Sequence, residues 1–199
     1  MTWNGLAQRL EGRIIVLEPL VEGHEQELFA VAQDPDVWRW MSYNAAESAE
    51  TFHGWFDDAL RATKAGDEVV FAVRSKESGN LIGSTRYMTL RPEHNGLEIG
   101  WSWLVPSAWG SGANAEAKFL LLQHAFDELG CIRVEFKTDA RNERARLALE
   151  AIPARFEGIF RSHMLVRGGE RRNSAFYSVT DDDWPVVRTL LERRLNAKS

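Results

Sequence analysis

The spacing of apolar residues changes repeatedly between strand-like and helix-like along this chain. Residues 13 to 20 are rich in β-branched side chains and end near a proline, which predicts a first strand. Residues 22 to 34 and 45 to 66 carry apolar positions at helical spacing and predict two helices. The first of these helices should stop at Asp34 and Pro35, because a proline cannot continue helical hydrogen bonding.

Three strands are predicted next. Residues 68 to 75 and 80 to 90, separated by a short polar turn, are typical of a β-hairpin, and residues 97 to 106 follow as a third strand. In the third strand Glu98 lies on the face opposite to an apolar face. Gly100 shares the face of Glu98, and a glycine inside a strand indicates a bulge or a close backbone approach. The predicted apolar face consists of Leu97, Ile99, Trp101 and Trp103.

The second half of the chain predicts a crossover. Residues 113 to 129 form a helical pattern that is apolar on several sides, and residues 131 to 138 alternate as a strand. Because a strand, a helix and a strand with short connections return in the same direction, one strand pair should be parallel. The remaining predicted elements are a helix, two strands and a closing helix capped by Thr180: residues 142 to 152, 154 to 166, 171 to 179 and 181 to 195.

The predicted order is β-α-α-β-β-β-α-β-α-β-β-α. It indicates a mixed α/β (α+β) fold with a twisted, mostly antiparallel sheet of about seven strands, one parallel pair and flanking helices. The chain has no internal repeat, low-complexity tract or linker. We therefore expect residues 1 to 199 to form one domain, with a core over residues 13 to 180 and a C-terminal helix over residues 181 to 195.

Composition narrows the class of protein. A formal net charge of −5 disfavours general binding to nucleic acid or to an anionic membrane. The single cysteine, Cys131, excludes an internal disulfide framework and a cysteine-based metal cluster, and it suits a reducing compartment. No apolar run is long enough for a membrane helix, and the first residues do not have a signal-peptide pattern. The expected location is the cytoplasm.

A loop of small residues precedes the apolar helix. Backbone amides at a helix N-terminus have no internal partners and attract anions, so this loop can hold a phosphate. The alternative is that its glycines serve only the packing of the strand against the helix. Neither a P-loop nor a dinucleotide fingerprint fits, because Ala113 and Asn114 follow Gly112, and position 115 is alanine. The loop and the start of the helix comprise Gly110, Ser111, Gly112, Ala113, Asn114 and Ala115.

Residues 13 to 180 resemble a known family. The segments EIGWSWLVPSAWGSGANAEA and LGCIRVEFKTDARNERARLALEAIPARFEGIFRSH are similar to the GNAT superfamily of acetyl-CoA-dependent N-acetyltransferases. The closer resemblance is to its RimJ/RimL-type branch of ribosomal-protein N-terminal acetyltransferases. The most specific pieces are the W-G-x-G loop, the R-V-E strand and the helix with the pattern N-x6-L-E.

The resemblance implies that acetyl-CoA is the co-substrate. It assigns the pyrophosphate of CoA to the amides of residues 110 to 115, and the pantetheine arm to the main chain of Trp103, Leu104 and Val105. It also implies that Asn142 contacts the cofactor, while the alternative for Asn142 is a plain helix cap.

Four positions depart from the family pattern. Trp109 stands where the family often has arginine or glutamine, and Asn114 replaces a common glycine or alanine. Ala145 removes a serine that can donate to the leaving thiolate, and Pro153 replaces a glycine. The changes in the loop remove no main-chain donor, whereas Ala145 leaves the group that protonates the thiolate unassigned.

Acetyl transfer to an amine needs a base, because an ammonium group has no lone pair. Glu98 is the candidate base, and the alternative is a solvent-facing strand glutamate. Cys131 is expected to be a buried apolar residue. Trp38, Trp40, Tyr43 and Trp55 could shape an acceptor pocket, although core packing is the expected role. The scattered histidines, His24, His53, His94, His124 and His163, have no metal-ligand spacing, so no metal is expected.

The sequence therefore predicts an acetyltransferase that moves acetyl from acetyl-CoA to an amine in a ternary complex. The acceptor is a protein N-terminus or a small-molecule amine, and a homodimer is left open. The alternative of another class is a CoA-binding sensor or interaction module that has lost catalysis. A longer acyl group is a third hypothesis, which differs in pocket size.

Overall fold

A computed structural model describes residues 3 to 197. In this part of the chain, eight strands form one sheet with six flanking α-helices. The strands are β1 (Leu10–Glu11), β2 (Ile15–Pro19), β3 (Val69–Ser75), β4 (Leu81–Arg91), β5 (Gly96–Leu104), β6 (Arg133–Asp139), β7 (Arg155–Val166) and β8 (Glu170–Thr180). The helices are α1 (Glu25–Val31), α2 (Pro35–Trp38), α3 (Ala49–Ala65), α4 (Ala113–Gln123), α5 (Glu143–Glu150) and α6 (Trp184–Asn196).

The sheet has the order β1-β2-β3-β4-β5-β6-β8-β7 and is antiparallel except at one pair. Strands β5 and β6 are parallel and are joined by the crossover through α4, as the sequence predicts. The hairpin β3–β4 is also confirmed. The fold class is the predicted one, and the short edge strand β1 brings the sheet to eight strands rather than about seven.

Apolar side chains cover both faces of the sheet and form two cores. One core packs α4 and α6 against the sheet and includes Leu97, Ile99 and Leu121. The other packs the helices of the first third of the chain against the opposite face and includes Phe52 and Trp103. The central strands are therefore buried between two helical layers.

A bulge in β5 corrects the predicted faces of that strand. Between two regular pairs with β4, Trp101 and Ser102 oppose the single residue Thr85, and Trp101 has a φ of 46°. The extra residue shifts the alternation, so Trp103 belongs to the core opposite to that of Leu97 and Ile99. The prediction of one shared apolar face was wrong, and the bulge lies at residues 101 and 102 rather than at Gly100.

Several boundaries also differ from the sequence prediction. The helix predicted over residues 113 to 129 ends as α4 at Gln123 and continues as a π-helical turn, His124–Glu128. Helix α1 ends at Val31, before Asp34 and Pro35 as predicted, but these two residues also begin the short helix α2, in which the Asp34 side chain accepts from the amide of Asp36. The closing helix has Asp183 at its N-cap instead of Thr180, although the two side chains hydrogen-bond at 2.8 Å.

Helix α4 is fixed to the start of β2 by a buried carboxylate. Glu116 accepts hydrogen bonds from the backbone amides of Arg13, Ile14 and Ile15, at 2.7 to 2.8 Å. Hydrogen bonds to a charged acceptor are among the stronger ones in proteins. The contact holds the first turns of α4 in one position relative to the sheet.

Candidate active site

The two parallel strands separate and leave a cavity between them. Their pairing comprises the three residue pairs from Gly96↔Arg133 to Glu98↔Glu135. Past this point, β5 and β6 both continue without a ladder between their described residues, and a cavity of about 370 Å³ opens there. A cavity of this size, between two strand ends and a helix, has the dimensions of a small-molecule site.

The loop before α4 forms one end of the cavity. Gly110 and Gly112 have φ values of 77° and 102°, which an L-residue adopts only with strain. Gly112 is the N-cap of α4 and provides no side-chain cap, so helix geometry leaves the amides of Asn114 and Ala115 without internal acceptors. Together with the helix dipole, these amides make an anion-binding end.

The remaining loop residues hold the loop in shape. The Ser111 hydroxyl donates to the carbonyl of Ala108 at 2.7 Å and accepts from the amide of Ala113 at 3.2 Å. Trp109 donates from its indole nitrogen to the carbonyl of Leu104 at 2.8 Å. Ser111 and Ala113 therefore bond to the loop itself, and neither lines the cavity.

Strand β5 borders the cavity along its free edge. Trp103 and Leu104 line it, while the Trp103 indole is buried in the core next to Trp38, with ring centroids 5.3 Å apart. Val105 lies outside the cavity, and its amide donates to the carbonyl of Ile82 at 2.8 Å. The main chain next to a ligand thus comes from Trp103 and Leu104 rather than from Val105.

Asn142 lies at the start of α5 and lines the same cavity. Its side-chain oxygen accepts from the amide of Ala145 at 3.1 Å, which is an N-cap bond. The cap uses the oxygen and leaves the amide NH₂ of the side chain as a donor. The helix cap and a cofactor contact are therefore compatible at this residue.

Glu98 is buried at the point where β5 and β6 separate. Its carboxylate lies 3.3 Å from the Lys137 ammonium and accepts from the Thr89 hydroxyl at 3.2 Å. A Cβ on Gly100 would lie 2.6 Å from the Met88 sulfur and 3.1 Å from a carboxylate oxygen of Glu98. Gly100 therefore gives Glu98 the space it occupies, and Glu98 is a partnered cavity residue rather than a solvent-facing one.

The wall next to Glu98 carries two cations. Lys137 on β6 and Arg172 on β8 both line the cavity. The Nε atom of Arg172 is buried and has no hydrogen-bond partner within residues 3 to 197. Unpaired buried donors are uncommon in folded proteins, so this guanidinium offers a donor to a bound molecule.

The hairpin β7–β8 is tied to the segment between α2 and α3. Arg167 donates to the carbonyl of Met41 at 2.8 Å and to the Asp139 carboxylate at 3.1 Å. Burial acts to raise the pKa of Asp139, but hydrogen bonds from Arg141 and Arg167 outweigh it and lower the pKa to about 2. The charged cluster of Asp139, Arg141 and Arg167 thus connects the hairpin to this segment, whose residues Met41 and Ser42 line the cavity.

Lys118 lines the cavity from α4 and lies on the other face of β5. Its ammonium donates to the Ser102 hydroxyl at 2.6 Å, and Ser102 lies 2.7 Å from the Thr85 hydroxyl. Burial away from water lowers the pKa of Lys118 to about 7. A lysine with this pKa can both donate and accept a proton near neutral pH.

Eight of the eleven site residues predicted from the sequence line one cavity, and Val105, Ser111 and Ala113 do not. The prediction missed Lys118, Lys137 and Arg172. A lysine inside the apolar run from Ala117 to Leu122 was the available signal for Lys118. Lys137 and Arg172 both lie in strands that alternate in polarity, and alternation does not distinguish one polar residue of a strand from the next.

The aromatic candidates fall into two groups. Trp38 and Trp55 are buried in the second core, as expected, whereas Trp40 lines the cavity. Tyr43 packs edge-on against Trp101, with centroids 5.6 Å apart. Cys131 is buried, and its pKa is raised by burial to about 12, which does not favour a nucleophile.

His124 and His163 contact neighbouring side chains of the fold. His124 is buried, and its Nδ1 lies 3.2 Å from the Tyr87 hydroxyl. His163 lies 3.0 Å from the Ser174 hydroxyl and is not part of the cavity lining. In the described part of the chain, no group of three or more candidate ligands could hold a metal ion.

Comparison with known proteins finds acetyltransferases by sequence family and by structure. A family model described as "Acetyltransferase (GNAT) domain" matches residues 15–154. A GCN5-related N-acetyltransferase from Brucella melitensis is 34% identical, with a TM-score of 0.88 over 97% of this chain and 88% of that chain. A protein of T. thermophilus described as an acetyltransferase is 38% identical, with a TM-score of 0.85 over 94% of this chain and 97% of that chain.

A more distant structure shares the fold. It is spermidine N-acetyltransferase from Vibrio cholerae in complex with CoA and spermine. Its identity is 15% and its TM-score 0.71, over 86% of this chain and 98% of that chain. No curated protein matches the chain. Between residues 3 and 197, no helix combines the length and the apolar character that crossing a bilayer requires.

Proposed function

Because this chain belongs to the family of GNAT acetyltransferase domains, we propose that it transfers acetyl from acetyl-CoA directly to an amine while both are bound. One observation carries the proposal: the cavity between β5 and β6 has an anion-binding helix end on one side and a buried carboxylate on the other. A phosphate-bearing acyl donor and an amine can meet there from opposite faces of the strand. Bound acetyl-CoA supplies the activated acetyl thioester.

The donor side of the site is the α4 face of β5. In this proposal the amides of Gly112, Asn114 and Ala115 hold the pyrophosphate, and Gly110, Ser111 and Ala113 shape the cradle. The main-chain edge of β5 at Trp103 and Leu104 is not paired with β6 and can hydrogen-bond the amide-containing arm of CoA, with Val105 continuing that segment. The Leu104 carbonyl on this edge also accepts from the Trp109 indole. Asn142 has an amide donor left for the same ligand. These features support binding of CoA by the predicted residues.

The acceptor side is the face that carries Glu98. An incoming ammonium must lose a proton before its nitrogen can attack the thioester carbonyl. Glu98 accepts that proton, directly or through a water molecule, and Lys137 pairs with the carboxylate at 3.3 Å in the absence of acceptor. As the ammonium approaches, it offers Glu98 a second cationic partner, which favours binding in the correct orientation.

The charges around Glu98 favour one class of acceptor. Lys137 and Arg172 repel a second positive charge near the reacting amine, so a polyamine is disfavoured. A single amine flanked by neutral or acidic groups, such as a protein N-terminus or an amino-acid-like small molecule, fits this wall. The motif resemblance to the RimJ/RimL-type branch supports a protein N-terminus.

A second function is favoured by one observation. Ala145 provides no hydroxyl near the donor side, and a chain that cannot release thiolate would be a CoA-binding sensor or interaction module. Mixing the protein with acetyl-CoA and a panel of peptides and small amines, with thiol release as the readout, separates the two. Release above the rate of spontaneous hydrolysis supports transfer, whereas tight CoA binding without release for any amine supports the module.

The proposal places this activity in the cytoplasm, where acetyl-CoA and reduced thiols are available. Every group that it uses comes from one chain, so it does not depend on a homodimer.

A further inference from the structure

Lys118 is a buried lysine that the roles described above leave unused. It is 6% exposed, and its ammonium has one hydrogen bond, to Ser102 at 2.6 Å. Among residues 3 to 197 it has no carboxylate partner, and its nitrogen lies 6.0 Å from the centroid of the Phe136 ring. Burying a lysine without an ion pair costs several kcal/mol in general. A cost of this kind indicates a function for the buried amine.

The bulge of β5 determines what Lys118 contacts. Because the extra residue at Trp101 shifts the alternation, Ser102 points toward α4 instead of away from it. Lys118 lies one helical turn after Ala115 on α4. Its side chain therefore enters the cavity about one turn away from the amides that form the anion-binding end. Glu98 precedes the bulge and faces the other side of the strand.

We propose that Lys118 is the acid that protonates the thiolate of CoA as it leaves. The inference rests on the proposed acetyl transfer and adds the residue that completes it. As the bond from the amine nitrogen to the carbonyl carbon forms, the C–S bond breaks and sulfur takes the electron pair. The nitrogen, which carries a positive charge after the attack, releases its excess proton to water and becomes the neutral amide. A proton then moves from Nζ of Lys118 to sulfur, and the neutral lysine recovers a proton from water.

The properties of Lys118 suit this step. Burial lowers its pKa to about 7, while an ordinary thiol has a pKa of about 8.5, so transfer from the ammonium to a thiolate is favourable. Ser102 accepts a hydrogen bond from the ammonium, and its hydroxyl is itself held by the Thr85 hydroxyl at 2.7 Å. The position of Lys118 on the donor face separates the acid from the base on the acceptor face.

Other charged groups lie on α4 or line the cavity from β5, β6, β8, α5 and α6. On α4 itself, Glu116 is bonded to the amides at the start of β2. Burial is the cause that lowers the pKa of Lys118. The charged residues that line the cavity with Lys118 are Glu98 on β5, Lys137 on β6, Arg144 on α5, Arg172 on β8 and Arg194 on α6.

A pH profile tests the role. With an acceptor amine of low pKa, which stays unprotonated across the range, kcat should fall as pH rises through about 7, because Lys118 then loses its proton. Lys118→Met keeps the length of the side chain and removes the proton. We expect kcat to drop by at least about 100-fold below pH 7 and the descending limb to disappear, with CoA affinity within about threefold of wild type.

Two further variants keep the test decisive if Lys118→Met does not fold. Ser102→Ala removes the hydrogen-bond acceptor of the ammonium and should move the descending limb to lower pH. Lys118→Arg keeps a donor that cannot lose its proton and should give a slow rate that is flat with pH. Lys64→Met, at an exposed position on α3, makes the same charge change away from the cavity and should match wild type.

Several results would overturn the inference. The first is an unchanged kcat in Lys118→Met. The second is a lower kcat whose pH profile keeps its descending limb, and the third is a variant in which only the affinity for CoA falls. Mass spectrometry showing that acetyl passes through Lys118 on the way to the amine would assign it a carrier role instead. A wild-type protein that releases no thiol with any amine rejects acetyl transfer itself, and the inference with it.

Discussion

The guanidinium carbon of Arg144 lies 3.4 Å from the centroid of the Trp109 ring, so α5 and the loop before α4 are joined by a cation–π contact. The ring is fixed in turn by its hydrogen bond to the carbonyl of Leu104. Trp109 stands at the position where the family resemblance led us to expect arginine or glutamine. Arg144 brings a cation to the same loop from a different element, next to the expected phosphate groups.

Loss of Arg144 should weaken CoA binding. Arg144→Gln removes both the charge and the contact with Trp109, and a cation–π contact alone contributes about 0.5 to 2 kcal/mol. We expect CoA affinity to fall about tenfold in calorimetric titration, equivalent to about 1.4 kcal/mol, with a weaker dependence on salt. Arg161→Gln, at an exposed position on β7, is the charge-matched control. Equal affinities for both variants would show that Arg144 has no part in binding.

Substitution of Gly112 should weaken CoA binding through the backbone. Gly112→Val places a branched side chain at a φ of 102°, which strains the loop and blocks close approach of a phosphate. We expect CoA affinity to fall at least about tenfold. Gly169→Val has a similar φ of 109° in the β7–β8 turn, where a Cβ meets no atom within 4 Å. The control should lose stability alone, and normal CoA binding by Gly112→Val would reject the cradle.

Glu98→Gln should slow the reaction in a pH-dependent way. The amide keeps the volume of the side chain and removes the base, so a loss of about 10² to 10⁴ in rate is expected where the acceptor is protonated. The loss should shrink at high pH, where free amine is abundant. Glu135→Gln is a matched control on β6, because Glu135 is the register partner of Glu98 and pairs with Arg91 and Arg133. A loss that is constant with pH would indicate a structural role for Glu98.

Asp139 should make the fold acid-sensitive over a defined range. Its lowered pKa of about 2, against an ordinary value near 4, contributes about 2 kcal/mol of stability above pH 4. That contribution is lost as pH falls from about 4 through 2. Asp139→Asn should therefore lower the melting temperature at pH 7 and make little difference at pH 2. Asp182→Asn, at an exposed position, should have no effect across the range, and a pH-independent difference for Asp139→Asn would contradict the linkage.

The sequence predicted the elements that have strong local patterns. The β3–β4 hairpin and the β5-α4-β6 crossover follow from alternation, turn residues and helical spacing, and together they specify the parallel pair that opens the cavity. The small-residue loop lies at one end of that cavity, where glycines at positive φ and a helix N-terminus coincide.

The bulge could not be read from the same pattern. Leu97, Ile99, Trp101 and Trp103 are all apolar, so the alternation looks continuous although one residue is added to the strand. Each face of the sheet has its own apolar core, so an apolar side chain of β5 can be buried on either face. Lys118 was missed for a related reason: a lysine in a helix ordinarily faces solvent, but α4 is enclosed on several sides, and its polar position faces the cavity.

The bond between Glu116 and the start of β2 links two parts of the chain that lie 101 residues apart in sequence. The same turns of α4 that carry the anion-binding amides are held by this carboxylate. A load on residues 13 to 15 is therefore transmitted to the first turns of α4 and to the loop before them, which lies far away in sequence. The Arg13 side chain also donates to the Asn196 side chain at 2.8 Å and to the carbonyl of Leu195 at 3.1 Å, so a load on the end of α6 reaches the same segment.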